Sequence, residues 1–219
     1  MRCINPLKSG LNIIGKRTYK SRQFNPGNGV PMEFECRKCL PCRLNIAREK
    51  AVRCVHEAAM HDDNIFLTLT YDDAHLASPR LDYRDFQLFM MRLREKVTRG
   101  ITDKSLRDSL YIPYMVTGEY GEKNKRPHWH AILFNYSPSD AVYKYSTHSG
   151  ERVFDSAELS SLWGKGNLEF GSVTIESAGY VARYAAKKLV HGRDGEHDFD
   201  PIHKTSAIVT GKQIGRAHV

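Results

Sequence analysis

Residues 111–136 read YIPYMVTGEYGEKNKRPHWHAILFNY, and their pattern decides the architecture. Tyr111 to Tyr120 alternates enough to predict a strand. Gly121 to Pro127 is polar and reads as a turn. His128 to Tyr136 predicts a second strand. Trp129, Ala131 and Leu133 fall on one parity, and His128, His130, Ile132 and Phe134 on the other. Two strands with so short a link predict an antiparallel hairpin.

Upstream, Asn64 to Tyr71 is rich in β-branched and aromatic residues and predicts a strand. Asp82 can cap a helix whose apolar face is Phe86, Phe89, Met90, Leu93 and Val97, with Gly100 at its end. From Pro41 to about His61, Leu44, Ala47, Ala51, Val55, Ala58 and Ala59 recur at helical spacing. Residues 1–35 show no sustained period and read as an irregular or hairpin-like arm. Downstream, 137–154 reads as a loop and Asp155 to Leu162 as a short helix. Leu168 to Glu176 reads as a strand and Ser177 to about Val190 as a helix. No internal repeat is present. The order β-α-β-β-α-β-α after an N-terminal helix predicts an α+β domain whose central antiparallel sheet is flanked by helices. The chain divides into an arm, cysteine cluster and helix (1–61), a main domain (62–192) and a polar tail (193–219).

Across 219 residues, 33 Lys and Arg against 25 Asp and Glu give a net charge of +8. That excess points to a polyanionic partner. No run approaches the ~18 apolar residues of a membrane span. The opening MRCINPLKSG lacks the apolar core of a secretory signal, so the expected setting is a cytosol.

Cys36, Cys39 and Cys42 stand two residues apart in one run, and Cys3 could supply a fourth sulfur. Five cysteines, an odd number, in a chain without a signal argue against a disulfide framework. A bacterial ferredoxin-like run would need a cysteine at position 46, which is Ile46. Two readings stand: a structural zinc site, or reduced thiols in a basic turn.

His128 and His130, two apart on a strand, share a face and can ligate one divalent ion. The proposed hairpin brings Glu119 across from them. Two histidines and a carboxylate leave positions open for a phosphate oxygen and water. Tyr180, Tyr184 and Lys187 stand at i, i+4 and i+7, on one stripe of a helix. A tyrosine hydroxyl is a weak nucleophile. A divalent ion on a phosphate and a nearby lysine would favour its attack, giving a tyrosyl phosphodiester.

Those residues carry a resemblance. Arg126-Pro-His-Trp-His130 is similar to the histidine–hydrophobic–histidine motif of the HUH endonucleases. Tyr180-Val-Ala-Arg-Tyr184 with Lys187-Lys188 resembles the two-tyrosine helix of that superfamily's replication initiators, and Phe66-Leu-Thr-Leu-Thr-Tyr71 resembles their first strand motif. With Gly118-Glu-Tyr-Gly121 and the cysteine run, these look closest to replication proteins of gokushovirus-like Microviridae, over roughly residues 32–190. The resemblance implies an HUH/Rep-like fold and a rolling-circle initiator. Such a protein nicks single-stranded viral origin DNA, stays on the 5′ phosphate and leaves a 3′ hydroxyl. It further implies Mg²⁺ or Mn²⁺ on His128 and His130, with Glu119 inferred as third ligand. It also implies host replication machinery as a partner and the host bacterial cytoplasm as the setting. Arg126, Arg183 and Lys188 are the candidate DNA contacts.

Two other readings compete. A non-catalytic single-stranded nucleic-acid binding module would suit the element order, basic charge and sheet aromatics. It would need neither the paired histidines nor the paired tyrosines. An HUH transposase would commonly use one tyrosine, and mobilisation enzymes generally place the tyrosine before the histidines. The segment after 190 is shorter than the resemblance implies. The closing Ile214-Gly-Arg-Ala-His-Val219 is what ATC GGA AGA GCA CAC GTC encodes, a string resembling a sequencing-adapter read. The expectation is that those last residues are not native.

Overall fold

A computed structural model describes residues 2–19, 23–25, 27, 32–76, 80–121 and 126–187, the last five by backbone alone. Lys188, the polar tail with its closing residues, and 122–125 of the expected turn lie outside the described residues.

Near the N-terminus, β1 (Leu7–Leu11) pairs antiparallel with β2 (Arg17–Thr18) and β3 (Met32–Phe34), in the order β2-β1-β3. The arm is therefore a small three-stranded sheet, more ordered than an irregular arm or single hairpin. Its strands are too short to print a period on the sequence.

The elements that follow are α1 (Leu40–Ala58), β4 (Asn64–Thr70), α2 (Tyr83–Thr98), α3 (Lys104–Ser109), β5 (Tyr114–Tyr120) and β6 (Pro127–Phe134). After them come β7 (Val142–Ser146), β8 (Arg152–Asp155), α4 (Ala157–Trp163), β9 (Leu168–Ser172) and α5 (Ile175–Lys187). Six strands form one antiparallel sheet in the order β5-β6-β4-β9-β8-β7. This is the α+β architecture expected from the central hairpin.

Three boundaries differ. The expected loop at 137–154 is the β7–β8 hairpin. Every residue of β7 is exposed, so no alternation marks it. The strand expected from Leu168 to Glu176 stops at Ser172, and α5 begins at Ile175, ahead of Ser177. The strand expected from Tyr111 begins at Tyr114, and α3 stands before it. α3 buries nothing and owes its start to Asp103, whose carboxylate accepts from the Leu106 N–H at 2.7 Å.

Strand parity sorts two cores onto the two faces of the sheet. Leu67, Leu69, Trp129, Ala131 and Leu133 pack against Phe86, Phe89, Met90 and Leu93 of α2 and Leu159 and Trp163 of α4. Asp82 caps α2 by accepting from the Arg84 N–H at 2.9 Å. On the other face Met115, Ile132 and Phe134 pack against Ala47, Ala51 and Cys54 of α1 and Ala178, Val181 and Ala182 of α5. Small alanines let α1 and α5 lie close together. Gly118 is opposite Trp129. A Cβ there would stand 2.7 Å from the indole, so glycine is what admits the ring beside Glu119. Among the described residues, no helix is long and apolar enough to cross a membrane.

Candidate metal centre and tyrosine helix

β5 and β6 pair with Glu119 directly opposite His128 and Thr117 opposite His130. That register puts one carboxylate between two imidazoles. Glu119 Oε1 lies 2.6 Å from His128 Nε2 and 3.0 Å from His130 Nε2. Glu119 and His130 are buried and His128 is half-buried. The far ring nitrogens are also engaged: His128 Nδ1 lies 3.1 Å from the Arg126 carbonyl, and His130 Nδ1 3.0 Å from Thr68 Oγ1. A carbonyl only accepts, so His128 Nδ1 carries a proton. Its Nε2, facing a carboxylate, then needs a second proton or a cation between the two groups.

Burial pushes the Glu119 carboxyl up, but hydrogen bonds from His128, His130 and Tyr180 outweigh it and hold the group well below the usual carboxylate range. Its second oxygen, Oε2, is buried without a hydrogen-bond partner. An orphaned carboxylate oxygen at a cluster of nitrogen donors is what a divalent ion satisfies. One ligand atom from each of Glu119, His128 and His130 lies within 4.8 Å of the others. The donor set therefore fits a divalent cation.

α5 brings Tyr180 to the same carboxylate. Its hydroxyl donates to Glu119 Oε1 at 2.9 Å. The phenol ring meets His130 edge-on at 5.1 Å between centroids, and Phe66 stacks on His130 at 5.7 Å. Val181 and Ala182, next in sequence, are buried and anchor the helix. Tyr184 and Lys187 follow on α5, but their side chains and that of Arg183 lie outside the described residues, as does Lys188.

Arg126 stands at the mouth of the centre. Its guanidinium donates to the Tyr71 carbonyl at 2.8 Å and pairs with the exposed Asp73 carboxylate. The sequence reading missed Thr68, which fixes the His130 ring. Its place in Phe66-Leu-Thr-Leu-Thr-Tyr71, one parity from the apolar Leu67 and Leu69, was the available signal.

A second cluster sits at the other end of α1. Sulfurs of Cys3, Cys36, Cys39 and Cys42 lie within 4.8 Å of one another. Cys3 Sγ and Cys39 Sγ are 3.8 Å apart, far beyond a disulfide bond of about 2.05 Å. The Cys36 N–H donates to Cys3 Sγ and the Cys39 N–H to Cys36 Sγ, each at 3.3 Å. Arg37 takes a left-handed φ of 60°, which turns the chain so that its neighbouring thiols face inward. Burial would raise the Cys39 thiol, but N–H groups of Cys42 and Ile4 and the neighbouring thiols bring it down to about 6. Burial, then hydrogen bonding to Cys39, pushes Cys42 up to about 12.

The model of the replication-associated protein ORF2 family matches residues 64–189, more than half of the chain. The chain is 56% identical over 206 residues to the replication-associated protein VP4 of Bdellovibrio phage phiMH2K, covering 94% of this chain and 64% of that protein. It is 35% identical over 163 residues to the replication-associated protein ORF4 of Chlamydia phage 1, covering 73% and 39%. With the replication-associated protein ORF2 of Spiroplasma virus 4 it is 35% identical over 208 residues, covering 86% and 62%. The chain thus spans less than two thirds of the length of each of these relatives. No solved structure matches it.

Proposed function

The chain belongs to the replication-associated protein ORF2 family, and from that premise we propose that it initiates rolling-circle replication by nicking single-stranded origin DNA. The observation that carries the reading is the Tyr180 hydroxyl, 2.9 Å from a carboxylate oxygen shared with two strand histidines. His128, His130 and Glu119 would hold Mg²⁺ or Mn²⁺, which when bound polarises the scissile phosphate. Glu119 already accepts the hydrogen bond of the Tyr180 hydroxyl and is the base to which that proton passes. The freed phenolate oxygen attacks phosphorus, and the bond from phosphorus to the 3′ oxygen breaks. The 3′ oxygen leaves as a hydroxyl after taking a proton, and the 5′ phosphate stays esterified to tyrosine. Tyr184 is the second nucleophile for rejoining, and Lys187 balances charge on the phosphoryl group. Arg126, Arg183 and Lys188 contact the strand. Residues 62–192 form the nicking unit, acting in the host cytoplasm, and the 3′ hydroxyl primes host machinery.

The four-cysteine cluster is proposed to hold structural Zn²⁺. A tetrahedron with Zn–S bonds of about 2.3 Å has edges of about 3.8 Å, and Cys3 and Cys39 stand 3.8 Å apart. Four thiolates suit zinc better than a hard oxygen-seeking ion. Elemental analysis should find one zinc per chain and no iron.

The nicking reading is tested with single-stranded viral origin DNA and added Mn²⁺. A covalent DNA–peptide adduct located to Tyr180 or Tyr184 by mass spectrometry is expected. Strand binding without any adduct would favour a non-catalytic binding module.

A further inference from the structure

The half of the sheet that α1 and α5 leave open contains a cavity of about 410 Å³. Its walls include Phe66 and Thr68 of β4, Glu169 and Gly171 of β9, Arg152 of β8 and Tyr145 of β7. This lies within the range of small-ligand pockets, roughly 300–1,000 Å³. It shares a wall with the metal centre. Thr68 is paired with Glu169 on one side and His130 on the other. Glu169 is therefore two strands, about 10 Å, from His130. Phe66, also in the wall, stacks on the His130 ring.

The β7–β8 hairpin completes the cavity through an irregularity. Its register shifts between Tyr143 and Tyr145, leaving Lys144 as an extra residue. Bulges re-aim side chains beside functional sites. Here Lys144 Nζ and the Tyr145 hydroxyl both reach Glu169, each at 2.9 Å and on separate carboxylate oxygens. Glu169 is half-buried, and each of its oxygens keeps acceptor capacity beyond the one donor it holds. Gly171 forms part of the floor. A Cβ there would meet the Arg152 carbonyl at 3.0 Å.

Resting on the nicking function proposed above, we propose that this pocket holds the base of a nucleotide adjoining the scissile phosphate. Glu169 selects a base that carries an exocyclic amine. Tyr145 and Phe66 supply aromatic walls of the kind on which unpaired bases stack. A carboxylate accepts from the amine of cytosine or adenine, whereas thymine offers carbonyl oxygens at its exocyclic positions. Arg152 at the rim suits the adjoining phosphate.

The test is binding of the full chain, in Mn²⁺, to short fluorescent homopolymers of deoxycytidine, deoxyadenosine and deoxythymidine, alongside nicking of origin DNA. The wild-type protein should prefer deoxycytidine or deoxyadenosine over deoxythymidine by about fivefold or more. Glu169→Ala should bring the affinities together, and Tyr145→Ala should weaken all of them. Equal wild-type affinities with intact nicking overturn the pocket alone, as does a preference that survives in Glu169→Ala. Absence of both strand binding and nicking overturns the DNA reading on which the pocket rests.

Discussion

The two polar clusters of this protein are built in opposite ways. Glu119, His128 and His130 come from adjacent strands of the large sheet, and their closeness follows from backbone register. Backbone pairing and packing on both faces hold those strands whatever occupies the centre. Cys3, Cys36, Cys39 and Cys42 come from a chain end and a turn beside a sheet of five-, two- and three-residue strands. Little apolar burial surrounds them: Leu7 and Met32 of that small sheet are exposed. The first cluster is organised for chemistry by the fold. The second organises the fold, and a metal there would supply what a core supplies elsewhere.

The sharpest way to break this contrast is to remove a ligand from each. His128→Ala should lower nicking by more than the ~100-fold seen when only a supporting partner of a metal ligand is lost. Its melting temperature should stay near that of the wild type, because His128 is not among the packed apolar residues. A cooperative loss of the sheet in His128→Ala would show that the centre is structural after all.

Cys39→Ser should do the reverse. Zinc content should fall, and the melting temperature should drop by about 5 °C or more, read by calorimetry. Nicking should fall only in part, through α1, which packs along α5 and its tyrosine. Thiol alkylation adds resolution. After chelation Cys36 and Cys39 should react, while Cys54 should not. Burial pushes the Cys54 thiol up to about 12, and it lies in the α1–α5 core. Alkylation of Cys54 at the same rate would mean that chelation opens the main core too.

A smaller effect is expected one layer out. Thr68→Val keeps the side-chain shape and removes the 3.0 Å contact that orients His130. Metal affinity, measured by Mn²⁺ titration, should fall about 10–100-fold while the fold persists. An unchanged affinity would mean that packing of Phe66 on His130 suffices to fix the ring.

Legibility followed the same divide. The central hairpin was readable because both its faces are buried, so parity carried meaning. Glu119 could be set against His128 from the length of the turn, and the Cys3 sulfur could be nominated though its 33-residue distance from Cys36 gave no spacing rule. The β7–β8 hairpin was not readable, since an exposed edge strand with a bulge at Lys144 has neither alternation nor constant register. α3 was hidden for a similar reason: its first turn is set by one aspartate, with no apolar stripe. Thr68 and the Arg126 carbonyl support the histidines through contacts that only the strand pairing reveals.

The smallest effect concerns Arg126, at the mouth of the centre. Its carbonyl accepts from His128, and its guanidinium spans to the Tyr71 carbonyl and Asp73. The Asp73 side chain is 92% exposed, so that ion pair is worth little and a phosphate can replace it. The Tyr71 contact holds the guanidinium in place while its partner changes. Arg126→Ala should therefore weaken single-strand binding slightly and reduce the slope of log affinity against log salt by about 0.7, the release expected for one phosphate contact. Asp73→Ala should leave that slope unchanged and raise affinity a little, since the strand no longer competes with a carboxylate. A slope that Arg126→Ala leaves untouched would mean that the arginine serves only to tie the segment after β4 to the start of β6, as the sheet-held half of the molecule already does through its register.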